Sequence, residues 1–363
     1  MRIVFVSYNY SPDIHSPEEW IERMRFYIGW LECLAKQHTV IRVDQIDYVG
    51  QFKHNNIEYH CVDDGKRKNY FPANLNRFVI ALEPDIVVVS SLQFPLQVIQ
   101  LRNGLGKNVR IVLQHHAEKP FGGIKKWLQR WASAKVDAFL FTAAETGKDW
   151  VRRGNIHAKG KILELMEVSS RFYPMDKQLA KKKVPVSGNA VFLWVGRLND
   201  NKDPLTAVKA FLRFTQFQPA AKLFMVYHTA ELESAIKQLL PTNENNSPVV
   251  LVGKVEHHEL LYWFNSADYF LSASHYEGSG TALAEAMSCA CIPVCSDIPP
   301  FRKITGGCGV LFEPGNENAI YAALQQTEGL NREEMKYAAR THFEKALSFE
   351  AIAASFEEII NTL

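Results

Sequence analysis

Ser274-His-Tyr-Glu-Gly-Ser-Gly-Thr-Ala-Leu-Ala-Glu-Ala-Met287 decides the fold, because it joins the end of a strand to a glycine turn and a helix. The apolar run at 269–273 is typical of a buried strand, and residues 281–287 are rich in helix formers. This arrangement points unpaired backbone N–H groups at one spot, which favours an anion. Glu277 and Glu285 frame the turn, so we interpret the stretch as a site for a phosphorylated, hydroxyl-rich ligand.

Length and composition restrict the class of protein. The chain has 363 residues, enough for two ordinary domains, with 47% apolar and 22% charged residues. A net charge of only +2 argues against general nucleic-acid binding, which needs a basic excess on one face. The sequence contains no run of about 18 apolar residues, so it predicts no transmembrane helix. The N-terminal sequence enters a strand pattern without a signal-peptide core, so we expect a cytoplasmic protein.

The six cysteines do not have the spacing of a secreted disulfide domain, which fits a reducing compartment. Cys289, Cys291 and Cys295 lie close together and raise the question of a metal site. However, they run from a helix end into an apolar strand, and no second Cys or His pair completes a ligand set. We therefore expect structural thiols.

Short apolar runs alternate with helical patterns in both halves of the chain, and this alternation predicts parallel sheets with helices on both faces. In the first long helix, Ser16 is the expected N-cap, Pro17 fits the first position and Glu19 completes a capping box. The predicted strands are 3–7, 39–43, 57–62, 86–91, 110–114, 138–142 and 161–165 in the first half, and 190–195, 222–227, 249–255, 269–273 and 292–295 in the second. Residues 172–188, which are poor in apolar side chains, separate the two halves.

A cationic segment follows the predicted strand 190–195. Arg197 lies at the carboxyl end of that strand, and Lys202 lies five positions further on. Asp203 can cap the next helix, and Pro204 fits its first position. Two cations and a helix N-terminus at one strand end suit a diphosphate, although a solvated surface Arg and Lys would also fit the segment taken alone.

Together, the segment with Arg197 and Lys202 and the segment with Glu277 and Glu285 resemble the signature of retaining glycosyltransferases of family 4, which have the GT-B fold. The resemblance extends over Tyr8-Asn-Tyr-Ser-Pro12, taken as the first loop, Gln114-His-His-Ala117, taken as the histidine loop, and Ser296-Asp-Ile-Pro-Pro-Phe-Arg302 and Ser348-Phe-Glu350. It implies two Rossmann-like domains that face each other across a cleft, with a C-terminal helix crossing back to the first domain. The corresponding ranges are 1–172 for the acceptor-side domain, 173–189 for a linker, 190–345 for the nucleotide-sugar-binding domain and 346–363 for the terminal helix.

The resemblance also implies roles for the matching residues. Arg197 and Lys202 are expected to bind the donor diphosphate, Glu285 the ribose hydroxyls, and Glu277 the transferred sugar. The alternative for Glu285 is a helix carboxylate exposed to water. The remaining donor-binding candidates are Gly196, Gly278, Ser279, Gly280 and Thr281. On the acceptor side, His116 is expected to face the donor sugar and to act with Arg197, Lys202 and Glu277 in catalysis, and the further candidates are His115, Tyr10 and Ser11. The alternative for the two histidines is that one or both cap the strand end or pack in the core.

The expected mechanism follows from charge. Breaking the sugar–phosphate bond leaves a nucleoside diphosphate whose growing negative charge Arg197, Lys202 and the helix N-terminus can stabilise. Such a site can replace a metal ion, and the sequence has no Asp-x-Asp motif, so we expect neither a metal nor a cofactor. The resemblance to retaining enzymes implies attack from the face that the leaving group vacates, so no covalent carboxylate is nominated.

One segment departs from the family pattern, and a second segment has two possible interpretations. Asp13-Ile-His-Ser-Pro-Glu-Glu19 stands where the family usually has a Gly pair, and Glu18 and Glu19 already complement the helix dipole. We therefore expect a poor anion site there and an acceptor bound in another way. Phe121-Gly-Gly-Ile-Lys-Lys-Trp-Leu-Gln-Arg-Trp131 combines cations with tryptophans in a predicted helix. It either contacts the inner face of a membrane, as in related enzymes, or buries both tryptophans against the sheet, which is the interpretation we favour.

The leading hypothesis is a hexosyltransferase of polysaccharide biosynthesis that uses a nucleotide sugar and a glycan or lipid-linked acceptor. One alternative is a sugar-nucleotide epimerase of the same fold, and another is a non-catalytic sugar-nucleotide-binding component of a polysaccharide assembly complex. A dehydrogenase is disfavoured, because no Gly-x-Gly-x-x-Gly follows the first strand.

Overall fold

The computed structural model describes residues 1–63, 72–241 and 247–363. The chain forms two units, one made of Met1–Ser169 with Phe349–Leu363 and the other of Ser170–Ser348. Each unit is built around its own sheet of mostly parallel strands, which confirms the fold class expected from the alternation of apolar runs and helices. Among the described helices, none has the length and apolar character needed to cross a membrane.

The first unit has an eight-stranded sheet in the order β3-β4-β2-β1-β5-β6-β7-β8, in which only the β3–β4 pair is antiparallel. The strands are β1 (Arg2–Ser11), β2 (Thr39–Ile46), β3 (Gly50–His54), β4 (Ile57–Cys61), β5 (Ile86–Ser90), β6 (Arg110–Gln114), β7 (Ala138–Phe141) and β8 (Ile162–Glu164). The helices are α1 (Pro17–Arg23), α2 (Arg25–Leu34), α3 (Ala73–Ala81), α4 (Pro95–Gly104), α5 (Gly123–Ser133) and α6 (Ala144–Arg152).

Strand β1 is longer than predicted and includes the segment that we expected to be the first loop. After an irregularity between Val6 and Tyr10, the strand continues along β2, where Tyr10 pairs with Gln45 and Ser11 pairs with Ile46. The loop prediction for residues 8–12 was therefore wrong for residues 8–11, because this polar end of the strand still finds a backbone partner. Tyr10 and Ser11 are consequently held in the sheet.

The first long helix is also divided. Its pattern runs through Met24, but Met24 lies between α1 and α2 with φ −94° and ψ 5°. The indole of Trp20 on α1 donates a hydrogen bond of 2.9 Å to Asp44 on β2, which fixes α1 independently of α2. Ser16 caps α1 as predicted, by accepting from the N–H of Glu19. The capping box was wrong, since Glu19 accepts from the N–H of His15 at 2.7 Å.

The second unit has a six-stranded, all-parallel sheet in the order β11-β10-β9-β12-β13-β14. The strands are β9 (Ala190–Val195), β10 (Ala221–Val226), β11 (Val249–Gly253), β12 (Tyr269–Ser272), β13 (Ile292–Ser296) and β14 (Val310–Phe312). The helices are α7 (Lys177–Lys181), α8 (Pro204–Phe214), α9 (Glu233–Leu239), α10 (Leu260–Ser266), α11 (Thr281–Ser288), α12 (Pro299–Thr305), α13 (Glu317–Gln326) and α14 (Arg332–His342). Since β9 and β12 are neighbours, the loops that follow them meet at the same edge of the sheet.

The segment predicted to be a linker is bonded to the second unit. The N–H of Met175 donates to the Asn265 side chain at 2.7 Å, and Lys177 on α7 forms an ion pair of 2.5 Å with Asp268. These polar anchors fix a segment whose low apolar content resembled a linker. The chain passes from one unit to the other between Ser169 and Ser170.

The last helix, α15 (Phe349–Ile360), belongs to the first unit and packs on α2. Phe356 lies with its ring centre 5.3 Å from that of Trp30 and 6.0 Å from that of Phe5. Gly29 on α2 permits this approach, because a Cβ there would lie only 2.5 Å from the Phe349 ring. The chain therefore finishes in the unit in which it begins, as the family resemblance implied.

Candidate active site

The glycine turn after β12 has the geometry of an anion site. Gly280 precedes α11 in the left-handed region, with φ 59° and ψ 46°, and a Cβ there would lie 2.7 Å from Ile304. Only glycine meets both demands without strain. No side chain caps α11, and within the described residues none of the N–H groups of Gly278, Ser279 and Gly280 donates a hydrogen bond. The turn therefore offers unpaired donors at a positive helix end.

The loop after β9 folds tightly toward α8. The N–H of Lys202 donates to the Asn199 side chain at 3.1 Å, and Asp203 caps α8 by accepting from the N–H of Thr206 at 3.3 Å. Asp203 has φ 48°, a strained value for a residue with a Cβ. Arg197 is exposed, and among the described residues its guanidinium pairs with no carboxylate. Arg197 thus remains available to an external anion.

Polar contacts join the β9 loop to the β12 loop. The N–H of His275 donates to the carbonyl of Asn201 at 2.8 Å, and the Asn201 amide donates to the carbonyl of Tyr276 at 3.0 Å. The Lys202 ammonium forms an ion pair with the Glu277 carboxylate, and both side chains are mostly buried. The structure therefore brings Lys202, Glu277 and the glycine turn together, but the direct pairing of Lys202 with Glu277 was not foreseen.

Glu285 lies on the second turn of α11 and is only 2% exposed, so the interpretation as a solvated helix carboxylate was wrong. Its Oε1 lies 2.6 Å from Nε2 of His257. The His257 ring stacks on Phe172, with centres 5.0 Å apart and planes 21° apart. Our reading of the sequence missed His257. The signal that could have found it is its place just after β11, at the same sheet edge as the other loops.

The two histidines after β6 have different environments. His115 is 3% exposed, stacks on Phe141 at 4.7 Å and contacts Trp150. Its Nε2 lies 3.0 Å from the carbonyl oxygen of Glu118. This packing favours a structural role for His115 and leaves His116 as the better candidate for substrate contact.

The two ring nitrogens of His116 differ in their contacts. Its Nδ1 contacts the Glu167 carboxylate, and its Nε2 is buried without a hydrogen-bond partner among the described residues. Burial favours the neutral ring, but the Glu167 carboxylate outweighs it and holds the pKa of His116 above its ordinary value. The Glu118 carboxylate accepts from the N–H of His116 at 2.5 Å and from that of Leu92 at 2.8 Å, so the loop is firmly anchored.

The remaining acceptor-side candidates face an acidic residue. The Tyr10 hydroxyl donates to Asp47 at 3.3 Å, and His15 lies 2.9 Å from the same carboxylate. Ser11 follows Tyr10 in β1, and the end of α1 nearby is already capped by Ser16 and Glu19. These contacts direct polar groups of this segment to an acidic side chain, and the poor anion site expected there stays a prediction.

The tryptophans of α5 are exposed, so the favoured interpretation that both are buried was wrong. Trp127 is 70% exposed, Trp131 55% and Ile124 81%. The buried side of α5 instead uses Gln129, whose amide donates to the carbonyl of Leu92 at 2.9 Å and accepts from the N–H of Phe121 at 3.1 Å. A polar anchor of this kind turns the aromatic side outward.

The clustered cysteines are buried in and beside β13. Burial raises the pKa of the Cys289 thiol to about 12, and it also raises the pKa values of Cys291 and Cys295. These values fit structural thiols. Across residues 1–63, 72–241 and 247–363, no three His, Cys, Asp or Glu side chains converge in a way that could hold a metal ion.

Comparison with known proteins gives partial matches to glycosyltransferases. Residues 176–342 match the family model described as Glycosyl transferases group 1. A GDP-mannose:cellobiosyl-diphosphopolyprenol alpha-mannosyltransferase of Xanthomonas oryzae pv. oryzae is 29% identical over 141 residues, which are 38% of this chain and 36% of the relative. O-antigen chain mannosyltransferase B of Escherichia coli is 30% identical over 95 residues, 26% of this chain and 25% of the relative. The alignments thus span about a third or less of these relatives.

Solved structures extend the likeness to the whole chain. A sucrose-phosphate synthase of Thermosynechococcus elongatus matches with a TM-score of 0.75 at 15% identity, covering 100% of this chain and 99% of that one. At such identity the match shows the fold alone. Residues 176–342 are therefore similar to the glycosyl transferases group 1 family, within a chain that has the GT-B fold.

Proposed function

We propose that this chain is a retaining hexosyltransferase of family 4 that moves a sugar from a nucleotide diphosphate sugar to a glycan or lipid-linked acceptor. The observation that carries the proposal is the ion pair of Lys202 and Glu277 beside the uncapped N-terminus of α11. An anion, a cation from the neighbouring loop and free N–H donors thus meet at one helix end, and a sugar phosphate needs all three.

The charges support stabilisation of a leaving diphosphate. Lys202 neutralises Glu277, so that this carboxylate does not repel a phosphate at the helix end. Arg197 and the N–H groups of Gly278 to Gly280 add donors where negative charge develops. Gly196 and Thr281 flank these two loops and complete the proposed donor site. On this basis we propose that transfer needs no metal ion, and that His116 is the histidine that faces the donor sugar.

The relatives suggest which substrates to test first. Two of them carry mannosyltransferase names, and one name gives GDP-mannose as donor and a diphosphopolyprenol-linked saccharide as acceptor. A further relative, 29% identical over 136 residues, is named as an N-acetylgalactosaminyltransferase that acts on a diphospho-undecaprenol-linked saccharide. We therefore propose GDP-mannose as the first donor and a polyprenyl-diphosphate-linked saccharide as the first acceptor.

The binding test is calorimetric titration with GDP, UDP and their sugar conjugates. We expect the nucleoside diphosphate of one base to bind. Lys202→Ala should lower the affinity for that nucleoside diphosphate by about 10-fold or more, because charged hydrogen bonds are lost and Glu277 is left unneutralised. Lys209→Ala is the matched control, since Lys209 is an exposed lysine on α8 and should bind like the wild type. Equal affinity in the wild type and Lys202→Ala would contradict the proposed site.

The second candidate is a non-catalytic component that binds the sugar nucleotide within a polysaccharide assembly complex. The capping of α1 by Ser16 and Glu19 favours it, because that capping satisfies the helix end on the acceptor side. Binding of a sugar nucleotide without any release of nucleoside diphosphate, with or without an acceptor, would support this candidate over transfer.

We also propose that α5 contacts the inner face of a membrane and that the protein works in the cytoplasm. Three exposed apolar side chains, Ile124, Trp127 and Trp131, lie on one helix with Lys125 and Arg130. Tryptophan and lysine together suit the interface of an anionic bilayer. Such a contact would bring a lipid-linked acceptor to the enzyme.

A further inference from the structure

The buried carboxylate of Glu285 depends on a neighbour that the family resemblance did not point to. A carboxylate that is 2% exposed is costly unless it accepts hydrogen bonds. Nε2 of His257 lies 2.6 Å from its Oε1, which is the distance of a strong, direct contact. The orientation of the Glu285 carboxylate is therefore set in part by the imidazole of His257.

His257 is itself held in place from two sides. It opens the 3₁₀ turn His257–Glu259, in which Glu256 and Glu259 cap each other reciprocally, the Glu259 carboxylate accepting from the N–H of Glu256 at 3.0 Å. Its ring stacks on Phe172 at 5.0 Å. A side chain fixed by its backbone and by an aromatic face can hold a partner without moving.

The position of the pair matches the expected ribose site. His257 follows β11, and Glu285 lies on α11 after β12, so the two residues come from loops and helices at the carboxyl edge of the same sheet. The His257 side chain is 26% exposed, so the pair borders solvent. An ionised carboxylate accepts hydrogen bonds only, which suits a pair of hydroxyl groups.

We propose that His257 is a positioning residue that orients Glu285 toward the ribose hydroxyls of the donor nucleotide. The inference rests on the proposed function, because it assumes that this site binds a nucleoside diphosphate. Two expected effects distinguish this role from a purely structural one. Loss of His257 weakens recognition of the ribose specifically, and a neutral hydrogen-bond donor of similar reach can take over the function of the imidazole.

The test compares GDP with 2′-deoxy-GDP by calorimetric titration of the wild type, His257→Ala and His257→Gln. For the wild type we expect a preference for GDP of about 10-fold or more, the effect of losing a hydrogen bond to a charged group. His257→Ala should reduce that preference to about 3-fold or less while leaving 2′-deoxy-GDP affinity nearly unchanged. His257→Gln should restore most of the preference. His258→Ala is the matched control, since the adjacent His258 is exposed.

Two results would overturn the inference alone. One is a ribose preference that His257→Ala leaves unchanged while GDP still binds. The other is tighter GDP binding in His257→Ala, which would mean that His257 occupies the carboxylate and has to be displaced by the ligand. If the wild type bound neither GDP nor UDP, nor any sugar conjugate of them, the proposed function would fail, and the inference with it.

Discussion

Both carboxylates of the candidate donor site carry their own counter-group. Glu277 pairs with Lys202, and Glu285 pairs with His257. An acidic side chain beside a phosphate site would otherwise repel the ligand, and a buried carboxylate is costly without a hydrogen-bond partner. These pairings explain how a site for a dianion can contain two acidic residues.

The pair of His116 and Glu167 predicts how the stability of the protein depends on pH. The Glu167 carboxylate outweighs burial and raises the pKa of His116 in the folded state above the ordinary value of 6.5. A raised folded pKa contributes stability that is complete below 6.5 and is lost as pH rises through the folded pKa. The free energy of unfolding of the wild type relative to His116→Gln should therefore fall as pH rises above about 6.5.

Urea unfolding at a series of pH values measures that difference. His258→Gln serves as the control, because His258 is exposed and should show no comparable trend. A wild-type advantage over His116→Gln that stays constant with pH, or grows as pH rises, would contradict the account of the His116–Glu167 pair.

Residue identities at the site were more predictable than residue pairings. The positions of Arg197, Lys202, Glu277 and Glu285 follow from strand ends and from the family signature. The pairing of Lys202 with Glu277 joins residues 75 positions apart, and that of His257 with Glu285 joins residues 28 apart. Such pairs depend on which loops meet in the folded sheet, and local sequence patterns do not contain that information.

At the scale of elements, α5 yields a direct test of membrane contact. Its outward side carries Ile124, Trp127 and Trp131, so the protein should float with anionic liposomes at low salt and dissociate as salt is raised. Trp127→Ala with Trp131→Ala should reduce the bound fraction about 10-fold, because two interfacial aromatic anchors are lost. Flotation followed by quantification of the bound protein is the measurement.

Phe217→Ala is a suitable control for that experiment, because Phe217 is an exposed aromatic residue, 68% accessible, of the second unit. Its removal should leave flotation unchanged. Failure of the wild type to bind anionic liposomes at low salt would contradict membrane contact through α5, and equal binding by the double variant would assign the contact to another surface.

Elements with long apolar runs were predicted well, whereas the short edge strands β3 and β14 were missed. The missed strand β3 is a polar edge strand that returns to β4 through Asn55 and Asn56, both with positive φ. Paired asparagines in that conformation are typical of a tight hairpin turn, and they were the available signal. The exposed side of α5 was mispredicted because tryptophan is usually buried, whereas here Gln129 makes the inward contacts.

At the scale of the whole molecule, two parallel sheets could be predicted because buried strands are recognisable without knowledge of their order. The return of α15 to the first unit could not be derived from periodicity, and it came only from the family resemblance. The structure supplies a physical reason for it, since Gly29 on α2 leaves room for the Phe349 ring. Because this last helix returns, the first unit is made of two separate segments of the chain, Met1–Ser169 and Phe349–Leu363.

We propose that the site around Lys202 and Glu277 transfers a sugar without a metal ion. The most direct measurement is the rate of nucleoside diphosphate release from GDP-mannose in the presence of a polyprenyl-diphosphate-linked saccharide and EDTA. The account predicts that EDTA leaves the wild-type rate unchanged and that Lys202→Ala lowers it by about 100-fold or more, while Lys209→Ala does not. A wild-type rate in Lys202→Ala, or loss of wild-type activity on chelation that added metal restores, would contradict it.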